Sequence, residues 1–163
     1  MNLLVSYNWL KEYLPGLKAS PEEVAEKLSL HAFSVERVRR MDEGLDPHIV
    51  VGRIEKIEPH PKADKLRITR IATDVDGSPR MIVCGGSNLY EGQLVAVALP
   101  GAKVRWHGEG EPVELKPAEI RGVKSEGMIC AANEIGLYEM FPHKEREILD
   151  LTGTGAKVGM PVA

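Results

Sequence analysis

Residues 49–71 read IVVGRIEKIEPHPKADKLRITRI, and this stretch decides the fold class. Branched apolar residues dominate 49–57, which predicts a β-strand. Residues 58–61, with two prolines, interrupt the pattern, and a second strand is predicted over 66–72. The stretch therefore predicts two strands joined by a rigid turn.

Two irregularities in the first strand indicate the kind of sheet. Gly52 lies inside the strand, and the apolar alternation slips near Ile54. Both features are typical of a bulge or a sharply coiled strand. Further short strands are predicted over 81–84, 93–99, 113–115, 120–122, 128–131 and 147–151, with a short helix near 133–137. Short, closely spaced strands with internal glycines predict a small five-stranded barrel of the oligonucleotide-binding (OB) type.

The first forty residues follow a different pattern. Trp9, Leu10, Tyr13 and Leu14 mark one face of a short helix that ends at Pro15-Gly16. A second helix is predicted to begin at Ser20, because Ser20-Pro21-Glu22-Glu23 has the composition of a capping box. A strand is predicted over 33–38, and residues 41–47 have the polar composition of a linker.

Composition and charge exclude several classes of protein. The 163 residues are 43% hydrophobic and 28% charged, as in an ordinary globular domain. No apolar run approaches the roughly 20 residues of a membrane span. The two cysteines, Cys84 and Cys130, have no CxxC spacing and fit a reduced, cytosolic protein without a structural zinc site. We expect the chain to be cytoplasmic, with no membrane partner.

Charge is segregated along the chain. The net charge is −3, so the protein is not a strongly basic nucleic-acid binder. Residues 53–70 nevertheless carry six basic residues against three acids, whereas residues 71–163 carry nine against thirteen. This basic segment is either a local nucleic-acid patch or an ordinary solvated strand face, and composition alone favours the latter.

Catalytic patterns do not emerge from the sequence. It has no phosphate-binding loop of the GxxxxGK[ST] type and no HExxH motif, and its five histidines lack metal-ligand spacing. Cys84 and Cys130 each lie in an apolar strand, which predicts buried core residues rather than nucleophiles. We expect no catalytic residue, no metal site and no cofactor in this segment.

Four motifs together resemble a known family. IVVGRIEKIEPHPKADKLRITRI, IVCGGSN, VALPGA and IRGVKSEGMICAANEIGL occur in this order between residues 49 and 137. They resemble the tRNA-binding OB domain of several aminoacyl-tRNA synthetases and of free tRNA-binding proteins. HPKADKL and RGVKSEGM are the most specific elements.

One branch of that family fits best. SYNWLKEYLP and LSLHAFSVERV resemble the opening of the bacterial phenylalanine–tRNA ligase beta subunit, in which an OB domain interrupts a small α/β domain. The resemblance implies a mostly β chain: residues 1–40 form the first half of the incomplete α/β domain, 41–47 a linker and 48–151 the OB domain. Residues 152–163 begin the return into the α/β domain. Because family members are several times longer, we expect this chain to be a segment.

The resemblance also implies a function. The parent enzyme attaches phenylalanine to tRNA with ATP and magnesium, in an α2β2 assembly with an alpha subunit. This segment is expected to be non-catalytic and to hold tRNA through a basic groove. The expected tRNA-binding residues are Lys62, Lys65, Arg67, Asn88, Arg121, Lys124 and Ser125. The alternatives are a structural or subunit-contact module with little RNA binding, and a free dimeric tRNA-binding protein.

Overall fold

The computed structural model describes residues 3–40, 45–74 and 77–162. The chain divides into two compact units, Met1–Met41 and Asp42–Ala163. Of the predicted linker over 41–47, residues 41–44 lie outside the described residues. Leu45 packs against the core of the second unit, and the carboxylate of Asp46 accepts a hydrogen bond from the backbone N–H of Lys103 at 3.0 Å.

The first unit contains two helices, α1 (Tyr7–Tyr13) and α2 (Pro21–His31). The predicted capping box is confirmed: Ser20 Oγ accepts from the backbone N–H of Glu23 at 3.1 Å, and Glu23 Oε2 accepts from that of Ser20 at 2.7 Å. The strand prediction over 33–38 is wrong, because this segment has no ladder partner among residues 3–40. Neither α1 nor α2, nor any other helix of the described chain, has the length and apolar character needed to span a membrane.

The second unit is built on a five-stranded antiparallel sheet. Its strands are β1 (Ile49–His60), β2 (Ala63–Ala72), β3 (Arg80–Cys84), β4 (Leu94–Ala98) and β9 (Met128–Ile129), in the order β3-β2-β1-β4-β9. Two small hairpins are inserted between β4 and β9: β5 (Lys103–Val104) with β6 (Val113–Glu114), and β7 (Ala118–Ile120) with β8 (Val123–Ser125).

The two edges of the sheet approach each other. The backbone N–H of Glu126, just after β8, donates to the carbonyl of Met81 on β3 at 2.9 Å. The backbone N–H of Val83 donates to Ser125 Oγ at 3.1 Å. These contacts bring β3 against the β8–β9 connection, and the predicted mostly β, OB-type barrel is confirmed.

The bulge predicted in β1 is confirmed, whereas the predicted end of that strand is wrong. The register between β1 and β2 shifts between Ile54 and Lys56, and again between Pro59 and His60. β1 continues through Pro59, because proline is tolerated where a bulge removes the need for a ladder N–H. At Gly52, a Cβ atom would stand 2.6 Å from Ile71 Cγ2. The backbone of β1 therefore approaches the side chains of β2 too closely at this position for any residue other than glycine.

The core explains the apolar character of β4. Residues 95–98 are fully buried, because one face of β4 packs in a cluster with Ile49 and Val51 and the other in a cluster with Ile54 and Ile71. The strand predicted at 147–151 is reduced to a single bridge between Val95 and Asp150. Residues 159–162 continue along β1, where Val162 N–H donates to the carbonyl of Ile49 at 3.0 Å.

Candidate nucleic-acid interface

The tight turn between β1 and β2 is fixed to the β7–β8 hairpin by a buried histidine. His60 is 5% exposed. Its Nδ1 accepts the backbone N–H of Lys62 at 3.1 Å, so Nε2 carries the proton and donates to the carbonyl of Ile120 at 3.1 Å. The neutral imidazole therefore joins two loops that lie 60 positions apart in the sequence.

The two hydrogen bonds of His60 bring together HPKADKL and RGVKSEGM, the two most specific motifs of the family resemblance. Arg121 Nη1 donates to the carbonyl of Lys62 at 3.2 Å. Lys62 Nζ lies over Gly122, 3.3 Å from where a Cβ atom would stand. Arg121 has a φ of +49°, a conformation in the left-handed region that non-glycine residues adopt only when their surroundings hold them there. The predicted residues Lys62 and Arg121 therefore form one exposed pair of cations.

Neither cation of this pair is neutralised locally. Among the residues that the structure describes, no carboxylate lies within ion-pairing distance of Lys62 or Arg121. Two other basic residues, on β1 and β2, are paired instead. Lys56 Nζ lies 2.7 Å from Glu58 Oε1, and Arg70 Nε lies 3.4 Å from Glu55 Oε2.

Lys124, another predicted site residue, is exposed but paired. Its Nζ lies 2.9 Å from Glu126 Oε1, and this hydrogen bond is the main cause of the lowered pKa of Glu126. Lys124 therefore presents a locally compensated charge, unlike Lys62.

Lys65 and Arg67 lie beside a third cation that the sequence analysis missed. They line a surface cleft of about 350 Å³ together with Arg146. Arg146 Nη2 donates to the carbonyl of Gly85 at 2.8 Å. Arg146 belongs to the charged run HKERE at 143–147, which has the composition of a solvated loop, so only the return of the chain to the barrel reveals its position.

The two polar residues predicted at the site have structural partners. Ser125 is 3% exposed, and its hydroxyl accepts from Val83 N–H and donates to the carbonyl of Gly127 at 3.0 Å. The Asn88 amide pairs with both backbone groups of Ile148, at 2.9 and 3.0 Å. The polar atoms of Ser125 and Asn88 are thus engaged with the backbone, unlike the side-chain nitrogen of Lys62.

In the described part of the second unit, the exposed aromatic side chains are Tyr90, Trp106, Tyr138 and Phe141. Tyr90 and Trp106, the two expected from sequence, are 45% and 51% exposed. Tyr90 is held in place, because its hydroxyl donates to Asp150 Oδ2 at 2.9 Å. Tyr138 is 51% exposed as well, but its ring lies edge-on to that of His143.

The prediction that both cysteines are core residues is confirmed. Cys84 is 8% exposed and Cys130 fully buried. Burial raises the pKa of the Cys84 thiol to about 11 and that of Cys130 further, which keeps both protonated and unreactive at neutral pH. Within residues 3–40, 45–74 and 77–162, no three His, Cys, Asp or Glu side chains cluster in a way that could hold a metal ion.

Comparison with known proteins agrees with this geometry. Residues 49–160 match the family described as "Putative tRNA binding domain". The phenylalanine–tRNA ligase beta subunit of Oceanobacillus iheyensis is 42% identical over 85% of this chain and 16% of its own length. That of Chlorobaculum tepidum is 40% identical over 98% of this chain and 19% of its own.

The matched relatives are much longer, and the chain spans less than a fifth of each. Among solved structures, the MetRS related protein from Pyrococcus horikoshii is 20% identical, with a TM-score of 0.48 over 78% of this chain and 99% of that chain. The assignment therefore rests on the sequence matches. The chain belongs to the tRNA-binding domain family and is similar over most of its length to phenylalanine–tRNA ligase beta subunits.

Proposed function

We propose that the exposed cations of the two joined loops hold tRNA by contacts to its phosphates. The observation that best supports this proposal is the hydrogen bond from Arg121 to the carbonyl of Lys62, across 59 positions of sequence. It combines the HPKADKL and RGVKSEGM motifs into one positive surface, to which Lys65, near the start of β2, is proposed to add a third charge. Phosphate contacts position a nucleic acid without reading its sequence, so this segment acts as a holder of tRNA.

The geometry supports only some of the seven expected tRNA-binding residues as phosphate contacts. Lys62, Lys65, Arg67 and Arg121 are the proposed phosphate contacts. Lys124 contributes less, because Glu126 compensates its charge. Asn88 and Ser125 are proposed to shape the barrel rather than touch RNA, since their polar atoms bind backbone groups.

We place the segment in a larger ligase. By its similarity to beta subunits, the whole protein is proposed to attach phenylalanine to tRNA with an alpha subunit in an α2β2 assembly in the cytoplasm. ATP and magnesium are assigned to that whole enzyme. No cluster of side chains among the described residues of this segment could hold a metal ion. No step of the proposed function is therefore assigned to a metal ion here.

A titration with unmodified tRNA at two salt concentrations tests the proposal. Four phosphate contacts predict that affinity falls roughly 50- to 150-fold between 50 and 200 mM salt. The variant Lys62→Glu/Lys65→Glu should lose binding at least about tenfold at the lower salt, because it replaces two attractive charges by two repulsive ones.

Lys157→Glu provides the control for this titration. Lys157 is exposed, and the neighbouring Gly159 N–H donates to the carbonyl of Val51, near the opposite end of β1 from His60. Nine residues of β1, at most about 30 Å of extended strand, separate Val51 from His60 at the proposed surface. Lys157→Glu should therefore bind tRNA nearly as the parent chain does.

The outcomes separate the candidate functions. Unchanged binding by the folded double variant would favour the structural or subunit-contact module. A stable dimer in a mass measurement, with no longer parent protein, would favour the free dimeric tRNA-binding protein.

A further inference from the structure

A cleft beside β2 is lined by three cations, and by no carboxylate among the residues that the structure describes. Its walls come from β1, from β2, from the loop after β3 and from the segment before Ile148. The lining residues are Ile57, Lys65, Arg67, Gly86, Ser87, Leu89 and Arg146. The carboxylate of Glu91 accepts a hydrogen bond from the backbone N–H of Ile57 at 3.1 Å, but Glu91 does not line the cleft.

The guanidinium of Arg67 is anchored on one side only. Its Nη1 donates to the carbonyls of Asp64 and Leu66, at 2.8 and 3.0 Å. Within the described chain, its Nε and Nη2 make no hydrogen bond. These two groups form the parallel pair of donors that binds two oxygens of a phosphate or carboxylate. Anchoring of Nη1 fixes the orientation of that pair before a ligand arrives, which lowers the entropy cost of binding.

Arg146 is held in place from both ends. Its φ is +65°, in the left-handed region, and its carbonyl accepts hydrogen bonds from the N–H and hydroxyl of Ser87 at 2.8 and 3.2 Å. Its Nη2 bridges the carbonyls of Gly85 and Lys65, at 2.8 and 3.4 Å. Non-glycine residues adopt this conformation when the surrounding structure over-determines it, and such positions cluster at binding sites.

From this arrangement we infer that the cleft binds one backbone phosphate of RNA, with Arg67 as the bidentate donor and Arg146 and Lys65 as flanking charges. The inference rests on the proposed function and gives it a defined anchoring point. An acidic peptide offers similar oxyanions, but membership of the tRNA-binding family favours RNA.

Nitrogen-15 NMR of the arginine side chains in the 163-residue chain tests the inference directly. Addition of tRNA should shift the Arg67 Nε–H signal. Arg67→Gln should weaken tRNA binding about three- to tenfold and reduce the slope of log affinity against log salt by about one, as expected for one lost phosphate contact. Arg146→Lys keeps the charge but loses the bridge between carbonyls, and should weaken binding as well.

Arg70→Gln is the matched control. Arg70 lies on the same strand as Arg67, three residues further on and so on the opposite face, where it pairs with Glu55. The control removes the same charge from the same element and should leave the Arg67 signal and the salt slope unchanged.

The possible results are distinct. If tRNA binds but Arg67→Gln matches Arg70→Gln, the cleft inference is overturned and the proposed function stands. If the parent chain fails to bind tRNA at low salt, both are overturned. A shift of the Arg67 signal with polyglutamate but not with tRNA identifies a protein-contact site and also overturns the inference.

Discussion

The imidazole of His60 donates from Nε2 to the carbonyl of Ile120, and this hydrogen bond joins the β1–β2 turn to the β7–β8 hairpin beside that of Arg121 with Lys62. The same ring accepts the N–H of Lys62, so the position of the proposed RNA-binding cation depends on a residue that is itself buried. His60 is therefore a positioning residue for the surface formed by Lys62 and Arg121.

His60→Ala should weaken tRNA binding about three- to tenfold and destabilise the fold by about 1–3 kcal/mol, since the Ile120 carbonyl loses its partner. Fluorescence titration with tRNA and thermal unfolding measure the two effects. His48→Ala is the control, because the His48 side chain is exposed and pairs with the nearby Asp46. Equal tRNA affinity of the two variants would contradict the positioning role.

Ser125→Ala should destabilise the domain by about 1–3 kcal/mol, because the buried N–H of Val83 loses its acceptor. Its affinity for tRNA should remain that of the parent chain when measured well below the melting temperature. Lys124→Ala should change stability by less than about 0.5 kcal/mol, as expected for an exposed position. It should weaken tRNA binding only slightly, because Glu126 already compensates the charge of Lys124. Urea unfolding and tRNA titration of both variants check the contrast. A stable Ser125→Ala protein with impaired binding would restore Ser125 as a contact.

Gly52→Ala should destabilise the barrel by about 1–3 kcal/mol or more, because its Cβ would stand 2.6 and 2.7 Å from methyl groups of Ile71 and Val97. Gly85→Ala makes the same chemical change in the same domain, but its Cβ meets Leu66 at an ordinary 3.4 Å. Differential scanning calorimetry should therefore show a lower Tm for Gly52→Ala than for Gly85→Ala. Similar melting temperatures would show that β1 can move away from β2 and β4.

The dependence of stability on pH should contain a contribution from Glu134. Burial raises the pKa of this carboxyl above its usual 4.5, against the hydrogen bond from the backbone N–H of Ala131. The folded state then binds a proton more tightly than the unfolded state. The contribution of Glu134 to stability is therefore present below pH 4.5 and is lost as the pH rises through the folded-state pKa.

Glu134→Gln should abolish that loss, because glutamine is uncharged and keeps an oxygen for the Ala131 N–H. Urea unfolding between pH 4 and 8 measures the difference between the two proteins. The variant should gain stability relative to the parent as the pH rises. A constant difference across this range would contradict a raised pKa.

The sequence predicted the barrel well because its strands combine apolar alternation with glycine and turn residues. It misplaced the end of β1, since a proline normally ends a strand and only the observed bulge accommodates Pro59. It also predicted a strand over 33–38 from β-prone residues, although a strand requires a partner and residues 3–40 provide none.

The candidate site was predicted less completely, because residue type does not reveal the direction of a side chain. Ser125 was selected for its hydroxyl, yet that hydroxyl points to the backbone of β3. Arg146 was missed because nothing local distinguishes it from its charged neighbours; its role depends on contacts to Gly85 and Lys65, 61 and 81 positions away.

These distant contacts have a kinetic consequence. The loop after β3 is joined to residues 146–152 by hydrogen bonds that span about sixty positions, from Ser87 to Arg146, from Asn88 to Ile148 and from Tyr90 to Asp150. Domains dominated by such non-local pairings fold slowly, in milliseconds to seconds, because loop closure costs entropy before the contacts form. The hairpin of β1 and β2 can form locally and early, whereas Arg146 reaches Lys65 only after the chain has returned. The three-cation cleft is thus a late product of folding, and a nascent chain presents its basic turn before that cleft exists.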